Sequence, residues 1–353
     1  ILYSNKSVNR ILIVSNALSG GGAEAVARLM VQELNGATCI LFENDAEIVV
    51  PGVRMLVASR THNGGLLLTL LVNLKRLVFI QWVKLWLRPT VTISHLEGPN
   101  IANMLTVCGG RKVLFVHNRI TENYSGNSFR EFVKRVLAGI LYRRADKIIG
   151  VSPGICKELC GYLKVESKKV LFGPNPIDRF SILERSNQRY GDYRDNIVES
   201  NYLIIIASLS RQKNIELSLY VFKRLIKDYP QFNNLKLVIL GGGEMQDGLY
   251  ALCKKLSLVV FDIIGQSYTG TENVYFLGFQ SNPYRLLSRG KLLVMTSRWE
   301  GLPIALLEAM ALGVPGVISN CSDGIRKAWQ LENCETHQRK LPTIQWTSFG
   351  ALI

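Results

Sequence analysis

Residues 292–319 read LLVMTSRWEGLPIALLEAMALGVPGVIS, and this stretch decides the fold. Leu292 to Met295 are apolar and bounded by Thr296 and Ser297, which marks a short buried strand. Pro303 suits the first turn of a helix, where its missing N–H is no loss, and Gly301 permits a tight loop before it. Apolar periodicity then runs to Leu312, and Gly313 suits the helix end. A further apolar run, 316–319, follows at once. Strand, helix and strand in this order make a βαβ unit with parallel strands.

The alternation extends in both directions. Upstream in the same half, strands are expected at 202–207, 235–240 and 274–277, with helices at 213–228, 245–257 and 283–288. Residues 173–200 lose periodicity and gain Pro, Asn and charge, as a linker does. Before them a first series has strands at 11–15, 38–42, 91–94, 112–116, 147–151 and 169–172. Helices are expected there at 23–35, 66–87, 99–107, 128–144 and 153–164. With 353 residues, two α/β domains fit, each large enough for its own core. We divide the chain into 1–175, a linker 176–200, and 201–353. No element is evident from Gln330 onward.

Two sites in this pattern carry chemistry. Glu300 falls at the carboxyl end of a strand and Glu308 a turn and a half into the following helix. The N–H groups of Gly301, Leu302 and Ile304 surround a place for an anion, which in open α/β sheets is where ligands bind. The two carboxylates suit hydroxyls on either side of a diphosphate; equally, the spacing fits a capping carboxylate and a solvent-facing Glu. The second site is SGGGAE, residues 19–24, directly after the strand ILIVS. Its glycines allow close backbone approach to a phosphate or carboxylate, or simply a strand-to-helix turn. It does not meet the G-x-G-x-x-G dinucleotide pattern.

Composition narrows the partners. Lys and Arg number 42 against 27 Asp and Glu, a net charge of +15 that calls for an anionic partner. Residues 75–147 hold 13 basic and 4 acidic side chains, so the excess is concentrated there. No nucleic-acid module is recognisable, so no nucleic-acid partner is expected. Seven cysteines without regular spacing or a C-x-x-C pair point to a reduced, cytosolic compartment and no metal site. The chain opens on Ile1 and stops at Ile353 without a closing helix, so both native ends are expected to lie beyond it.

The segment SRWEGLPIALLEAMALGVPGVIS resembles the Glu-x7-Glu segment of retaining glycosyltransferases of family four, which have the GT-B fold and use nucleotide sugars. The same order continues through SGGGAE, VHN (116–118), ADKIIGVSPGI (145–155), PNPID (174–178), ASLSRQKN (207–214), GGGE (241–244) and VYFLGF (274–279), covering residues 10 to about 327. The resemblance implies two facing, doubly wound, Rossmann-like domains with an interdomain cleft. It also implies that Glu300 contacts hydroxyls of the donor sugar, Glu308 the nucleotide ribose, and Lys213 the diphosphate. Gly301, Leu302 and Pro303 would line the donor site, with Gly21 and Gly22 near the donor phosphate. Gly243 and the backbone at Phe279 would shape the nucleotide pocket, and His117 would stand near the reacting sugar. No cofactor and no metal are implied: no Asp-x-Asp motif occurs, and the departing phosphate helps take the acceptor's proton. One departure stands out, Ser208, where the family commonly carries Arg; Arg211 is nearby.

Among the remaining candidates, His95 and Glu97 in SHLEGPN lie at another strand end, where they meet the acceptor or cap the next helix. His62 and His337 read as surface residues. Cys156 and Cys160 share a helix face without further ligands. Residues 65–88 carry Asn73, Arg76, Gln81, Lys84 and Arg88 within about 140° of a helical wheel, leaving Trp82 and Trp86 on an apolar arc. That is an interfacial helix rather than a membrane span. With Lys134, Arg135, Arg143 and Arg144 it suits anionic lipid headgroups, each basic residue contributing about 1 kcal/mol. The expected activity is transfer of a hexose or N-acetylhexosamine from a UDP-sugar to a lipid-linked saccharide in polysaccharide or glycan biosynthesis. Its expected place is the inner face of the cytoplasmic membrane. The alternatives are a UDP-sugar epimerase of the same fold and a membrane-associated nucleotide-sugar-binding protein without turnover.

Overall fold

A computed structural model of the chain describes residues 10–18, 21–34, 36–43, 50–59, 65–123, 129–262, 269–329, 345–347 and 349–353. Ser19 and Gly20 of the glycine-rich turn, and His62 and His337, lie outside the described residues. The chain divides into two compact units, Ile1–Pro176 and Ile177–Ile353.

In the first unit the elements are β1 (Ile11–Ser15), α1 (Gly22–Glu33), β2 (Thr38–Leu41), β3 (Arg54–Val57), α2 (Leu66–Leu87), β4 (Val91–His95) and α3 (Glu97–Leu105). They continue with β5 (Arg111–Val116), α4 (Ile120–Asn123), α5 (Phe129–Arg143), β6 (Lys147–Gly150), α6 (Pro153–Gly161) and β7 (Val170–Phe172). The sheet order is β3-β2-β1-β4-β5-β6-β7, and every neighbouring pair is parallel. β1 (ILIVS) is apolar throughout because both faces are covered: Ile13 packs with Ala27 and Val31, while Leu12 and Val14 pack with Ile80, Val83 and Ala102. The strand order reverses between β1 and β4.

The second unit holds α7 (Arg179–Ser186), α8 (Tyr193–Val198), β8 (Tyr202–Ile206), α9 (Ile215–Asp228), β9 (Lys236–Leu240), α10 (Gln246–Lys255), β10 (Val260–Asp262) and β11 (Val274–Phe276). After these come α11 (Tyr284–Arg289), β12 (Leu292–Met295), α12 (Ile304–Ala311), β13 (Gly316–Ile318), α13 (Asp323–Ala328), β14 (Gln345–Thr347) and β15 (Gly350–Leu352). The sheet order is β10-β11-β9-β8-β12-β13-β15-β14, parallel except for the antiparallel pair β14 and β15. Its order reverses between β8 and β12.

Residues 176–200 are not a linker. α7 packs on α11 and α12, α8 packs on α11, and Asp195 pairs with Arg285 at 3.2 Å. Each helix starts on an Asp that accepts a backbone N–H, Asp178 from Ser181 at 3.0 Å and Asp192 from Arg194 at 2.9 Å. Helices of eight and six residues are too short to show a period, which is why they read as irregular. The edge strands β3, β10 and β14, and β15 beside β14, escape the pattern for the same reason.

Helix α2 forms where the sequence places it but faces the other way from a helix that keeps its polar arc in water. Lys84 is fully buried and donates to the Asn103 carbonyl (3.1 Å), Asn103 Oδ1 (2.8 Å) and Thr106 Oγ1 (2.8 Å). Arg76 donates to Ser59 Oγ and the Phe42 carbonyl, and the Gln81 side chain accepts from Val107 N–H. The outer face carries Leu70, Leu71, Leu74, Val78, Trp82, Leu85 and Trp86, each more than half exposed. Arg76 and Lys84 are thus spent inside the unit rather than presented to headgroups. A wheel gives the polar arc but not its direction, and here α3 and its neighbours offered the oxygens. No helix among the described residues is long and apolar enough to cross a membrane.

Candidate active site

Each candidate residue belongs to one of the two units, and in both units the candidates gather at the carboxyl ends of the strands beside the reversal of strand order, where crevices for ligands open.

In the second unit the loops after β8 and β12 meet there. Asn214 starts α9 in a left-handed conformation (φ 50°), with its Nδ2 on the Thr296 carbonyl (3.2 Å) and its Oδ1 accepting from Arg298 (3.0 Å). The Gln212 carbonyl accepts from Arg298 N–H at 2.8 Å. These bonds fix Lys213, whose Nζ lies 2.5 Å from Glu300 Oε1. The same oxygen accepts from Ser297 Oγ at 2.7 Å. Glu300 Oε2 takes a longer contact from Gln212 Nε2 at 3.4 Å, so the carboxylate, 5% exposed, keeps acceptor capacity for a hydroxyl. Gly301, Leu302 and Pro303 are buried. α12 begins one residue later than the sequence suggests, with Pro303 as its cap residue, and Gly313 follows it at φ 70°. Glu308, inside α12, accepts from Tyr284 Oη at 3.0 Å.

Gly241 and Gly243 have a backbone reason as well as any ligand one. Their φ values are 130° and 159°, and a Cβ on either would strike the backbone of Ala207 or Leu209. The end of β9 therefore lies directly against the loop that leads to Lys213. Phe279, after β11, is 54% exposed. Ser208 is exposed, its Oγ 3.3 Å from that of Ser210, and Arg211 is exposed too.

In the first unit, a cavity of about 840 Å³ opens where the strand order reverses, lined among others by Asn16, Leu96, Glu97, Asn100, His117, Asn118 and Tyr142. Leu96 holds φ 71° and ψ 166°, a conformation rare for a branched side chain, and it delivers Glu97 at the start of α3. Glu97 Oε2 accepts from Tyr142 Oη at 3.1 Å. Burial pushes its carboxyl up to about 7, against the lowering effect of the Tyr142 hydroxyl. Asn100 secures Tyr142 and β5: its Nδ2 reaches the Phe115 carbonyl (2.9 Å) and Tyr142 Oη (3.4 Å), and its Oδ1 accepts from Ser94 (2.8 Å).

His117 also lines this cavity. Its Nε2 is 3.1 Å from His95 Nδ1, and burial pulls its imidazole down to about 4. His95 is pushed well below its ordinary value, by burial first and by His117 second. Both rings are therefore neutral at pH 7, and one ring's N–H must donate to the other's lone pair, so the tautomer of His117 is tied to that of His95. His95 itself has no exposure, stacks on Phe115 at 4.6 Å and does not line the cavity. The strand end that carries it points it inward, and its ring meets the cavity-lining His117 rather than the cavity.

Gly21 and Gly22 start α1 as expected, yet a Cβ on Gly21 would collide with the Glu24 carboxylate. The Glu24 carboxylate thus folds back against the start of its own helix. Tyr142, Tyr284, Asn100 and Glu24 were not singled out by the sequence. Asn100 and Asn103 had a signal, two amides three apart in an otherwise apolar helix; the tyrosines had none.

Two family profiles cover most of the chain: "Glycosyltransferase Family 4" matches residues 20–179 and "Glycosyl transferases group 1" residues 194–334. An uncharacterised glycosyltransferase of Methanocaldococcus jannaschii is 29% identical over 68% of this chain and 58% of its own length. The Campylobacter jejuni N-acetylgalactosamine-N,N'-diacetylbacillosaminyl-diphospho-undecaprenol 4-alpha-N-acetylgalactosaminyltransferase is 28% identical over 66% of this chain and 58% of its own. The chain thus spans less than two thirds of these relatives. Among solved structures, Anabaena HepE in complex with UDP-glucose superimposes with a TM-score of 0.66 at 16% identity, covering 90% of this chain and 82% of that one. Two parallel-sheet Rossmann-like units, the two matched profiles and this likeness agree: the chain belongs to the GT-B glycosyltransferases, with a family-four domain followed by a group 1 domain.

Proposed function

We propose that the protein is a retaining glycosyltransferase that moves a hexose or N-acetylhexosamine from a UDP-sugar to a lipid-linked saccharide at an anionic membrane surface. The observation that carries this reading is the buried Glu300 carboxylate held 2.5 Å from Lys213 beside the start of α12. A sugar hydroxyl bound by Glu300 Oε2 brings the attached phosphate within reach of the same ammonium. Lys213 and the α12 dipole then stabilise the charge that develops on the departing nucleotide. Glu308, with Tyr284, takes the ribose hydroxyls, while Gly243 and Phe279 border the base.

The acceptor belongs to the first unit. Glu97, poised near pH 7, and neutral His117 suit hydroxyl groups, as donors or acceptors, better than phosphates. The Glu24 carboxylate over Gly21 favours a hydroxyl-bearing group at Gly21 and Gly22 for the same reason. The departing phosphate takes the acceptor's proton, and no metal is called upon. The lipid-linked acceptor is supported by the relatives whose names carry diphospho-undecaprenol substrates and by the apolar outer face of α2.

The test is incubation with UDP-hexoses and UDP-N-acetylhexosamines, a short-chain polyprenyl-diphosphate saccharide and EDTA, followed by product analysis. Transfer with the anomeric configuration kept is expected. Absence of both transfer and hydrolysis with every donor would sink the proposal, and a new UDP-sugar formed without acceptor would point to epimerisation instead.

A further inference from the structure

The first-unit cavity has two unlike ends. α3 and α5 both run back from the carboxyl ends of the strands towards their amino ends and pack on one another. Glu97 and Lys134 therefore lie towards the carboxyl-end mouth, with His117 and Asn118. Leu105 and Arg144 lie towards the far end. Between these limits, about 12 Å at 1.5 Å per helical residue, the walls are Ile101, Leu137, Ile140 and Leu141.

This apolar length is open to solvent: Leu105, Leu137 and Ile140 are 53%, 54% and 38% exposed. The exposed apolar surface continues along α5 through Phe132, Val133 and Val136, and α2 carries a second such face on the other side of α3. A saccharide presents hydroxyls at nearly every carbon and has no use for such a wall, since each would lose water without gaining a partner. A hydrocarbon chain ending in phosphate matches both parts, the chain along α3 and α5 and the phosphate at the mouth, where Lys134 lies.

We infer that the slot between α3 and α5 binds the isoprenoid segment next to the diphosphate of the lipid-linked acceptor, so that the first unit recognises the lipid as well as the sugar. This rests on the lipid-linked acceptor proposed above and assigns its hydrocarbon a place. The isoprenoid, rather than an acyl chain, is chosen because the relatives' substrates are undecaprenol-linked. The floor of the slot is held still by the bonds from Asn100 to Tyr142 and from Tyr142 to Glu97.

The intact protein is titrated by calorimetry with farnesyl phosphate, dodecyl phosphate and inorganic phosphate, below any micellar concentration and without nucleotide. Farnesyl phosphate is expected to bind at least tenfold more tightly than either of the others. Leu137→Glu and, separately, Leu105→Glu should each weaken it tenfold or more. Trp86→Glu, on the outer face of α2, should leave it unchanged. Both slot positions are half exposed, and a circular-dichroism spectrum and a thermal unfolding profile like the parent's show that each variant's first unit is folded. The inference is overturned if farnesyl phosphate binds no better than inorganic phosphate, if dodecyl phosphate equals it, or if Trp86→Glu weakens it as much as the slot variants. The assay involves no sugar transfer. Slot binding by a protein that transfers nothing removes the transferase reading alone; transfer to a lipid-linked saccharide that both slot variants leave intact removes the slot alone.

Discussion

Lys84 and Lys213, one in each unit, are both drawn out of water, and their partners are of opposite kinds. Lys213 faces the Glu300 carboxylate. Lys84 faces neutral oxygens of Asn103 and Thr106, and burial, followed by repulsion from Lys112, pushes its ammonium down to about 7. From Asn103 the bonds run on through Ser94, Asn100 and Tyr142 to Glu97, so an uncharged network supports the wall of the first-unit cavity. The second unit sets an ammonium against a carboxylate at its crevice; the first sets Glu97, its carboxyl raised by burial to about 7, beside uncharged hydroxyl, amide and imidazole groups. A charged diphosphate suits the former and hydroxyls suit the latter.

The largest test of this contrast is Lys213→Met. Transfer should fall by at least about 100-fold, the range seen when one donor to a developing anion is removed. Stability should fall by about 2–3 kcal/mol, below the usual figure for a buried pair because the Lys213 side chain keeps 19% exposure. Adding Glu300→Gln should restore most of the stability, read by urea unfolding, and none of the transfer. If the double variant recovered activity, the pair would be scaffolding and the charge contrast would fail.

A medium effect is expected at Lys84. Its pKa is lowered in the folded chain, so the unfolded chain binds more protons between about pH 7 and 10.5, and stability rises with pH across that window. The expected slope is about 1 kcal/mol per pH unit from 7.5 to 8.5. Above about pH 9 the raised thiols of Cys39 and Cys253 act in the opposite sense, so the comparison stays below that. Lys84→Met should flatten the slope. Equal slopes for the parent and the variant would mean that the ammonium is not held in a neutral setting.

Much of this contrast could be seen in the sequence for the second unit and little of it for the first. Glu300, Gly301 and Pro303 sit in a local pattern, a strand end followed by a helix start, and the fold preserves that locality. Lys213 was reachable through its motif, although its bond to Glu300 joins residues 87 apart in sequence. Lys84 was placed on a helix correctly and on the wrong side of the water boundary. The direction of a helix is set by what the neighbouring chain offers, and Asn103 and Thr106 belong to α3. The apolar slot likewise joins α3 to α5, and its wall residues look like ordinary core positions when each helix is read by itself. The strands were legible because parallel strands covered on both faces are continuously apolar; the short edge strands and the helices α7 and α8 had too few residues to show a period.

The smallest expected effect concerns Ser208, which stands five residues before Lys213 on the same loop. It is exposed, and its hydroxyl meets only that of Ser210 among the described bonds, so a longer side chain has room. Ser208→Arg would bring a guanidinium able to grip two phosphate oxygens at once to a loop already fixed by Asn214 and Gln212. The KM for the UDP-sugar should fall two- to tenfold while kcat changes less. In the Lys213→Met background the same change should return part of the lost donor affinity and little of kcat, because a grip on the ground-state diphosphate is not the charge supplied beside Glu300. If KM is unmoved in both backgrounds, the loop after β8 does not reach the phosphates. The ammonium of Lys213 would then have to be assigned to the sugar alone, which would erase the difference in charge between the two crevices.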